Sequence, residues 1–425
     1  MVKPSEGLSW YGDTRRYSLA YPALAGESTT DVCIIGAGYT GLSAALELAE
    51  AGYRVTVLEA ETVGFGASGR NGGQICTGFS PGQAKVVAQV GRDDAVKCFQ
   101  LAEEAKSLVE ERIAAHRIPC DLTWGYMHVA PKASKVRDLD EAEEEWRGLG
   151  YTDLQRFSQK DLEDRLGSTV YFGALREGRA GHFHPLNYCL GLADAAHRAG
   201  VQIHEHSRVQ RCETEGEPQA WTAAGSVKAK FMIIACNAYV EKLVRKLYYA
   251  IMPVTSFVVA TEKLGPNRAS SLIPGNEAVA DTNWVVDYFR RSTDDRLLFG
   301  GRAAYSKLEP KDLRRSIRNR MLRVFPQLDD VNIAYSWGGY IAITYNRLPD
   351  MGRLGPSTYY AHGYSGQGVA LANLYGKLMA EVIRGQSERY DLLARFRHFP
   401  FPGGDLRLPI LVAAMAWYRL RDALA

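Results

Sequence analysis

Residues 31–59 read DVCIIGAGYTGLSAALELAEAGYRVTVLE, and no other stretch narrows the possible folds as far. Val32 to Ile35 is a continuous apolar run, the pattern of a strand buried on both faces of a parallel sheet. Gly36-Ala37-Gly38-Tyr39-Thr40-Gly41 follows at once, and then Leu42, Ala45, Leu46 and Ala49 recur at helical spacing. Gly52 ends that helix, and Arg54 to Leu58 reads as a second strand closing on Glu59. The whole is a βαβ unit. Gly36 permits the tight turn, Gly38 lets backbone approach a pyrophosphate, and Gly41 lets the helix pack on the strand. The helix N-terminus offers unpaired N–H groups and a partial positive charge to phosphates, and Glu59 is placed to accept hydrogen bonds from a ribose. A dinucleotide is the expected ligand.

Residues 64–74, GFGASGRNGGQ, place five glycines in eleven positions soon after that acid, where an NAD-binding domain would continue into an ordinary crossover. A glycine-rich loop there can run close to a second part of an elongated cofactor, with N–H groups facing phosphate or ring oxygens. Arg70 and Asn71 supply further donors. The expected cofactor is therefore FAD.

At 425 residues the chain is long enough for two or three domains with buried cores. Its net charge of +3 is too small to argue for nucleic acid or an anionic membrane. The seven cysteines are scattered and never spaced as CxxC, which argues against disulfides and structural zinc and fits a reducing, cytoplasmic setting. His182 and His184, and His204 and His206, have no third ligand at convincing spacing, so no metal is expected. The start, MVKPSEGLSWYGDTRRY, shows no signal-peptide pattern, and no run reaches the roughly 18 apolar residues of a membrane span. The apolar segment LPILVAAMAWY at 408–418 is too short for one. It reads as a buried, oligomer-forming or peripheral contact.

The fingerprint followed by GFGASGRNGGQ resembles the amino-acid-oxidase-like superfamily of FAD enzymes, and the chain is most similar to the gamma-glutamylputrescine oxidase family. Further matching segments are GHFHPLN at 181–187, LLFGG at 297–301, FPQL at 325–328, YAHGYSGQG at 360–368 and FPFPGGDLRLP…YRLRDAL at 399–424. The resemblance implies an α/β fold: an FAD-binding Rossmann-like domain with an inserted antiparallel-sheet α+β substrate domain. The FAD domain would comprise 1–88, 152–245 and 335–425, and the substrate domain 89–151 and 246–334. Phe231 to Ala235 supports this independently as another buried-strand run, and the stretches VTSFVVATE, NWVVDYF and RLLFGG within 254–301 suggest an antiparallel pocket wall.

By resemblance, Gly36, Ala37, Gly38, Thr40 and Gly41 would hold the pyrophosphate and Glu59 the ribose, with Ala60 beside it. Gly66 and Ala67 join the cofactor contacts, and Ser68, Gly69, Arg70, Asn71, Gly72, Gly73 and Gln74 would lie along the flavin. Val209 would meet the adenine. Gly363, Tyr364, Ser365, Gly366, Gln367 and Gly368 would close over the isoalloxazine ring from a strand–turn–helix stretch spanning 359–384.

Three departures shape the substrate reading. Residues 336–349 contain no cysteine, so FAD is expected to be non-covalent. Ala370 stands where sarcosine-type relatives carry a carboxylate-binding lysine, and Leu297 and Leu298 lie where they carry an oxygen-activating one. The small Gly-to-Cys difference at Cys236 carries little weight. The expected reaction is oxidation of an amine C–N bond, with hydride passing to flavin N5 and an imine then hydrolysed to aldehyde. The amine would be gamma-glutamylputrescine or a similar one, with O2 as acceptor giving H2O2. Tyr364, Tyr288 and Tyr340 are the pocket candidates, with Trp284 and Trp337 as walls. The alternative substrate is a cyclic or secondary amino acid such as L-pipecolate or L-proline, gripped by Arg290, Arg291, Arg302 or Arg347. A dehydrogenase passing electrons to a quinone or carrier, and a non-enzymatic nucleotide-binding module, are the remaining classes.

Overall fold

A computed structural model describes residues 9–283, 286–304, 312–407 and 409. A strand apolar on both faces needs neighbours on both sides and cover above and below. Gly26–Ile35 has these: it runs parallel to Gly225–Ile234 on one side and Val55–Leu58 on the other. Gln202–His204 continues the sheet beyond Val55–Leu58, and Thr358–His362 continues it beyond Gly225–Ile234, both parallel. Asp350–Gly355 closes that edge antiparallel. Alternation assigns the two faces. Val32 and Ile34 pack toward a layer formed by the helices Tyr39–Glu50, Arg92–His116, Pro185–Arg198 and Gly368–Ile383. Cys33 and Ile35 face the opposite way, among Leu58, Met232 and Tyr340.

Small residues let the helical layer close tightly. A Cβ on Gly376 would sit 2.4 Å from the Thr40 carbonyl oxygen, so the helix Gly368–Ile383 crosses the first helix of the βαβ unit at that glycine. Beside it, the buried Arg112 donates to Ser43 Oγ at 2.7 Å, Asn373 Oδ1 at 3.2 Å and Glu47 Oε1 at 2.8 Å, tying three helices together.

Among the described residues the second sheet has nine strands. Its main path is Ile333–Thr344, Ile251–Thr261, Leu297–Ala304, Tyr288–Arg291, Ala278–Asp281, Thr123–Val129, Gly173–His182 and Gln74–Ile75, with Leu154–Ser158 added on Gly173–His182. Neighbours are antiparallel except Ala278–Asp281 with Thr123–Val129. One face, including Met127, Val129, Phe257, Val259, Phe289 and Phe299, packs on the helix Leu313–Val324. The other face turns Tyr126, His128, Val254, Ser256, Val258 and Tyr288 toward the first sheet.

Strand pairing runs across the expected boundaries. Gln74–Ile75, Leu154–Ser158, Gly173–His182 and Ile333–Thr344 lie wholly or largely in stretches assigned to the FAD domain, yet all four hydrogen-bond into the second sheet. Conversely Arg92–His116, assigned to the inserted domain, buries Ala95, Cys98, Ala102, Ala105 and Val109 in the helical layer of the first. The antiparallel wall itself is as expected. Trp284 and the segment 408–418, Pro409 excepted, lie outside the described residues. No helix among the described residues is long and apolar enough to cross a membrane.

Candidate active site

A cavity of 1690 Å³ runs from the carboxyl ends of the parallel strands to the inner face of the second sheet. Carboxyl ends are where open α/β sheets bind ligands, because the helices there begin with free N–H groups. Gly36, Ala37, Gly38 and Thr40 line it, and Gly38 caps the following helix with backbone alone. Glu59 and Ala60 line it beside them. Glu59 Oε2 accepts from Ala37 N at 2.8 Å and Oε1 from Glu61 N at 3.0 Å, while burial pushes its carboxyl above the usual range. Val209 reaches the same end.

Gly66, Ala67, Ser68, Arg70, Asn71, Gly72 and Gln74 form the middle of the wall. The loop is pinned from within and without. Asn71 Nδ2 donates to Ala67 O at 2.9 Å while its Oδ1 accepts from Gly73 N at 2.7 Å. Ser68 Oγ accepts from Tyr39 N at 3.0 Å, joining the loop to the first glycine turn. Arg70 Nε donates to Phe65 O at 2.8 Å.

Four expected contacts lie behind this wall rather than on it: Gly41, Gly69, Gly73 and Gly363 are absent from the lining. Each is a close approach of the protein to itself. A Cβ on Gly41 would lie 2.0 Å from Gly36 O, on Gly69 2.3 Å from Gly64 O, and on Gly73 2.2 Å from Phe183 O. On Gly363 it would lie 2.4 Å from Thr344 Cγ2. The glycines of 64–74 thus divide into those bordering the cavity and those that let its frame close.

Tyr364, Ser365, Gly366, Gln367 and Gly368 line the cavity from the far side. The Tyr364 hydroxyl shares a 2.7 Å hydrogen bond with Thr40 Oγ1. Tyr288 and Tyr340 line the cavity. The Tyr288 hydroxyl lies 3.2 Å from Ser256 Oγ, and burial pushes its pKa up to about 12, so it stays a neutral donor. Tyr340 packs edge-on to Tyr239 at 5.6 Å. Trp337 stands behind the wall, donating from Nε1 to Arg70 O at 3.0 Å.

Of the arginines, Arg290 is buried and donates to Gly72 O at 2.7 Å, Phe183 O at 3.1 Å and the Tyr11 hydroxyl at 3.2 Å. It anchors the glycine loop. Arg291 donates to Ile273 O, and Arg347 lines the cavity. The Arg302 side chain lies outside the described set. Ala370 and Leu297 and Leu298 are buried and do not line the cavity.

Sequence reasoning passed over Tyr126 and His128, which line the far end, and Tyr239. The alternation in GYMHV carried the signal: Tyr126 and His128 share a strand face opposite the buried Met127 and Val129.

The residues present suit an elongated cofactor. The helix Tyr39–Glu50 begins on the cavity at Gly38, which has no side chain to cap it. Gln74 Nε2 and Gln367 Oε1 are buried without a partner among the described residues, and both residues line the cavity. Unpartnered buried polar atoms are costly and mark places where a ligand completes the bonding.

Residues 31–382 match the family described as DAO, FAD dependent oxidoreductase. The chain is 40% identical to gamma-glutamylputrescine oxidoreductase of Escherichia coli (strain K12) over 418 residues, 98% of either chain. It is 44% identical to the probable oxidoreductase OrdL of Haemophilus influenzae over 390 residues, 90% of either chain. Among solved structures, glycine oxidase from Geobacillus kaustophilus superposes with a TM-score of 0.72 at 23% identity, over 84% of this chain and 95% of that one. The fold, the glycine turns and these matches agree: the chain belongs to the DAO family of FAD-dependent oxidoreductases.

Proposed function

We propose that the chain oxidises a C–N bond of gamma-glutamylputrescine or a similar gamma-glutamyl amine. The substrate carbon gives up a hydride and its nitrogen a proton to form an imine, which water hydrolyses to aldehyde and ammonia, while O2 takes the two electrons and two protons and becomes H2O2. FAD, bound non-covalently, supplies the two-electron redox chemistry. The chain itself supplies binding and orientation. Gly36, Ala37, Gly38 and Thr40 would hold the pyrophosphate, and Glu59 and Ala60 the ribose, with Val209 at the adenine. The loop 66–74 and the turn 363–368 would hold the flavin. Tyr288 and Tyr340 would flank the amine by apolar and cation–π contact.

One observation carries this reading over a small amino acid. The cavity does not stop at Tyr288, whose ring packs against Gly72, but continues along the sheet to Tyr126, His128 and Asp281. Glycine or proline would leave that extension empty, whereas a diamine bearing a glutamyl arm fills it. The 40% identity to a gamma-glutamylputrescine oxidoreductase over 98% of the chain points the same way. All seven cysteines are free, which suits a cytoplasmic enzyme.

The test is anaerobic bleaching of the flavin by gamma-glutamylputrescine, putrescine, L-pipecolate, L-proline, sarcosine and glycine, followed by air. Bleaching by gamma-glutamylputrescine with rapid reoxidation and H2O2 release is expected. Bleaching by L-pipecolate or L-proline alone would overturn the assignment.

A further inference from the structure

Arg290 sets a positive charge in the interior with no negative charge to meet it. The residue is 3% exposed, and a guanidinium stays protonated in a protein. Its partners among the described residues are neutral. Nε donates to Gly72 O at 2.7 Å, Nη1 to Arg291 O at 3.2 Å, and Nη2 to Phe183 O at 3.1 Å and the Tyr11 hydroxyl at 3.2 Å. Burial pushes the Tyr11 phenol up despite the charge beside it, so it stays neutral. The acids that flank the strand in sequence are taken by other arginines: Asp287 by Arg320 at 2.6 Å and Asp294 by Arg296 at 2.9 Å.

Four hydrogen bonds hold the guanidinium in place, but they do not cancel its charge. A buried, unpaired cation is costly, and that cost falls when an anion comes within its field. The strand sets where the field is felt. Tyr288 and Arg290 stand two residues apart on one face of Tyr288–Arg291. Gly72 meets both: a Cβ on it would sit 2.8 Å from the Tyr288 ring, and its carbonyl takes the Arg290 bond. A Cβ on Gly73 would lie 3.1 Å from Arg290 Nη2. The guanidinium thus sits directly behind the Gly72–Gly73 peptide, and Gly72 borders the cavity.

We propose that Arg290 is a fixed charge that tunes the flavin: acting across the Gly72–Gly73 peptide, it stabilises the negative charge the ring gains on accepting hydride, and so raises its reduction potential. Hydride brings two electrons and one proton to a neutral ring and leaves it with one negative charge, while the proton lost by the substrate nitrogen goes to water. Arg290 touches neither ring nor substrate. A unit charge within about 10 Å, at an effective dielectric of about 20, shifts such an equilibrium roughly tenfold or more. The inference rests on the proposed placement of the flavin along the loop 66–74 and not on which amine is oxidised.

The test uses purified holoenzyme without any amine. Arg290→Gln removes the charge and keeps an amide donor for Gly72 O; Arg290→Lys keeps the charge and gives up part of the bonding. Two quantities are read on the fraction that retains FAD. One is the reduction potential by dye equilibration, and the other is the Kd of sulfite, which adds to flavin N5 and leaves the same negative charge. In Arg290→Gln the sulfite Kd should rise at least about tenfold, and the reduction equilibrium should shift by the same factor, about 30 mV downward for a two-electron couple. Arg290→Lys should stay close to wild type in potential. A purely structural role would lower Tm and FAD content in both variants with no potential that follows charge, and that result would overturn the inference. Arg70→Gln, on the same loop, checks where the flavin lies: a potential moved there but not at Arg290 overturns the inference alone, and one moved at neither overturns the flavin placement as well. Should neither Arg290 variant retain FAD, the wild type decides. Its bound FAD should have a potential above that of free FAD, because reduced FAD is then held more tightly than oxidised FAD; a potential below that of free FAD would overturn the inference.

Discussion

Tyr364 and Thr40, 324 positions apart in the chain, share a 2.7 Å hydrogen bond on the wall of the cavity. The bond joins the turn that begins the helix Gly368–Ile383 to the turn that begins Tyr39–Glu50, so two helix ends close on one space. Tyr364→Phe removes the bond and leaves Thr40 Oγ1 without it, a cost of about 1–2 kcal/mol. The expected outcome is a folded enzyme with a lower Tm that loses FAD more readily. Calorimetry of the holo and apo forms checks it: a larger drop in the holo form assigns the bond to cofactor retention, and equal drops assign it to the fold alone.

Gly38 and Gly41 stand three residues apart and fail differently. A Cβ on Gly41 meets backbone, the Gly36 oxygen at 2.0 Å, which cannot move without breaking the βαβ turn. A Cβ on Gly38 meets only Ser68 Oγ, at 2.8 Å, a side chain that can rotate, but it enters the space proposed for the pyrophosphate. Gly38→Val should therefore give folded, colourless protein, and Gly41→Val should give little soluble protein. Circular dichroism with flavin absorbance separates them; a yellow Gly38→Val would refute the phosphate role of that turn.

That contrast shows what the sequence could and could not convey. The apolar run 32–35, the glycine spacing and the terminal acid are local, and local patterns fix the βαβ unit. The choice between a glycine facing a ligand and one facing the protein is not local. Gly73 needs its positive φ of 83° and its missing Cβ because of Phe183, which is far away in sequence. Sheet membership is not local either: Gly173–His182 joins the second sheet through pairing with Thr123–Val129, a partner no periodicity names. The strand face that holds His128 has a local signal, but its 2.5 Å contact with Glu177 comes from across that pairing.

Arg290 offers a clean choice between anchor and substrate clamp. Its guanidinium serves Gly72 O, Phe183 O and the Tyr11 hydroxyl in a buried setting. Arg290→Ala leaves those acceptors unpaired, at about 3 kcal/mol or more in total. Stability and flavin content should both fall, since Gly72 loses its tether. Urea unfolding and flavin absorbance measure this; a raised KM with stability intact would instead make Arg290 a carboxylate clamp.

Removing the cofactor should be reversible. Acid precipitation is expected to leave FAD in the supernatant, as the non-covalent reading requires, and a yellow pellet would contradict it. The apo protein should melt below the holo form, and added FAD at about 100 times its Kd should restore about 2.7 kcal/mol. A Tm unmoved by FAD would mean the cavity does not bind it.

His182 and His184 make stability depend on pH in a direction that can be worked out. Burial, reinforced by the positive charge of Arg290, pushes both imidazoles down to about 3. The bonding agrees. His184 Nδ1 accepts from Asn187 N at 3.1 Å, capping the helix Pro185–Arg198, and Nε2 meets Thr14 Oγ1 at 3.0 Å; His182 Nε2 donates to Asn276 O at 2.8 Å. A proton on His184 Nδ1 would destroy the cap and set a cation at the positive end of the helix. In the unfolded chain each histidine titrates near 6.5, so below that pH the unfolded state binds more protons than the folded one. Their contribution is thus complete above about pH 6.5 and is lost as pH falls toward 3, at up to about 1.4 kcal/mol per pH unit for each. His184→Asn keeps an acceptor suited to the cap but cannot titrate. Urea midpoints between pH 7 and 5 should show a steeper acid-side decline in the wild type than in His184→Asn. Identical slopes would mean that His184 takes up its proton as readily folded as unfolded, and that the cap does not hold it neutral.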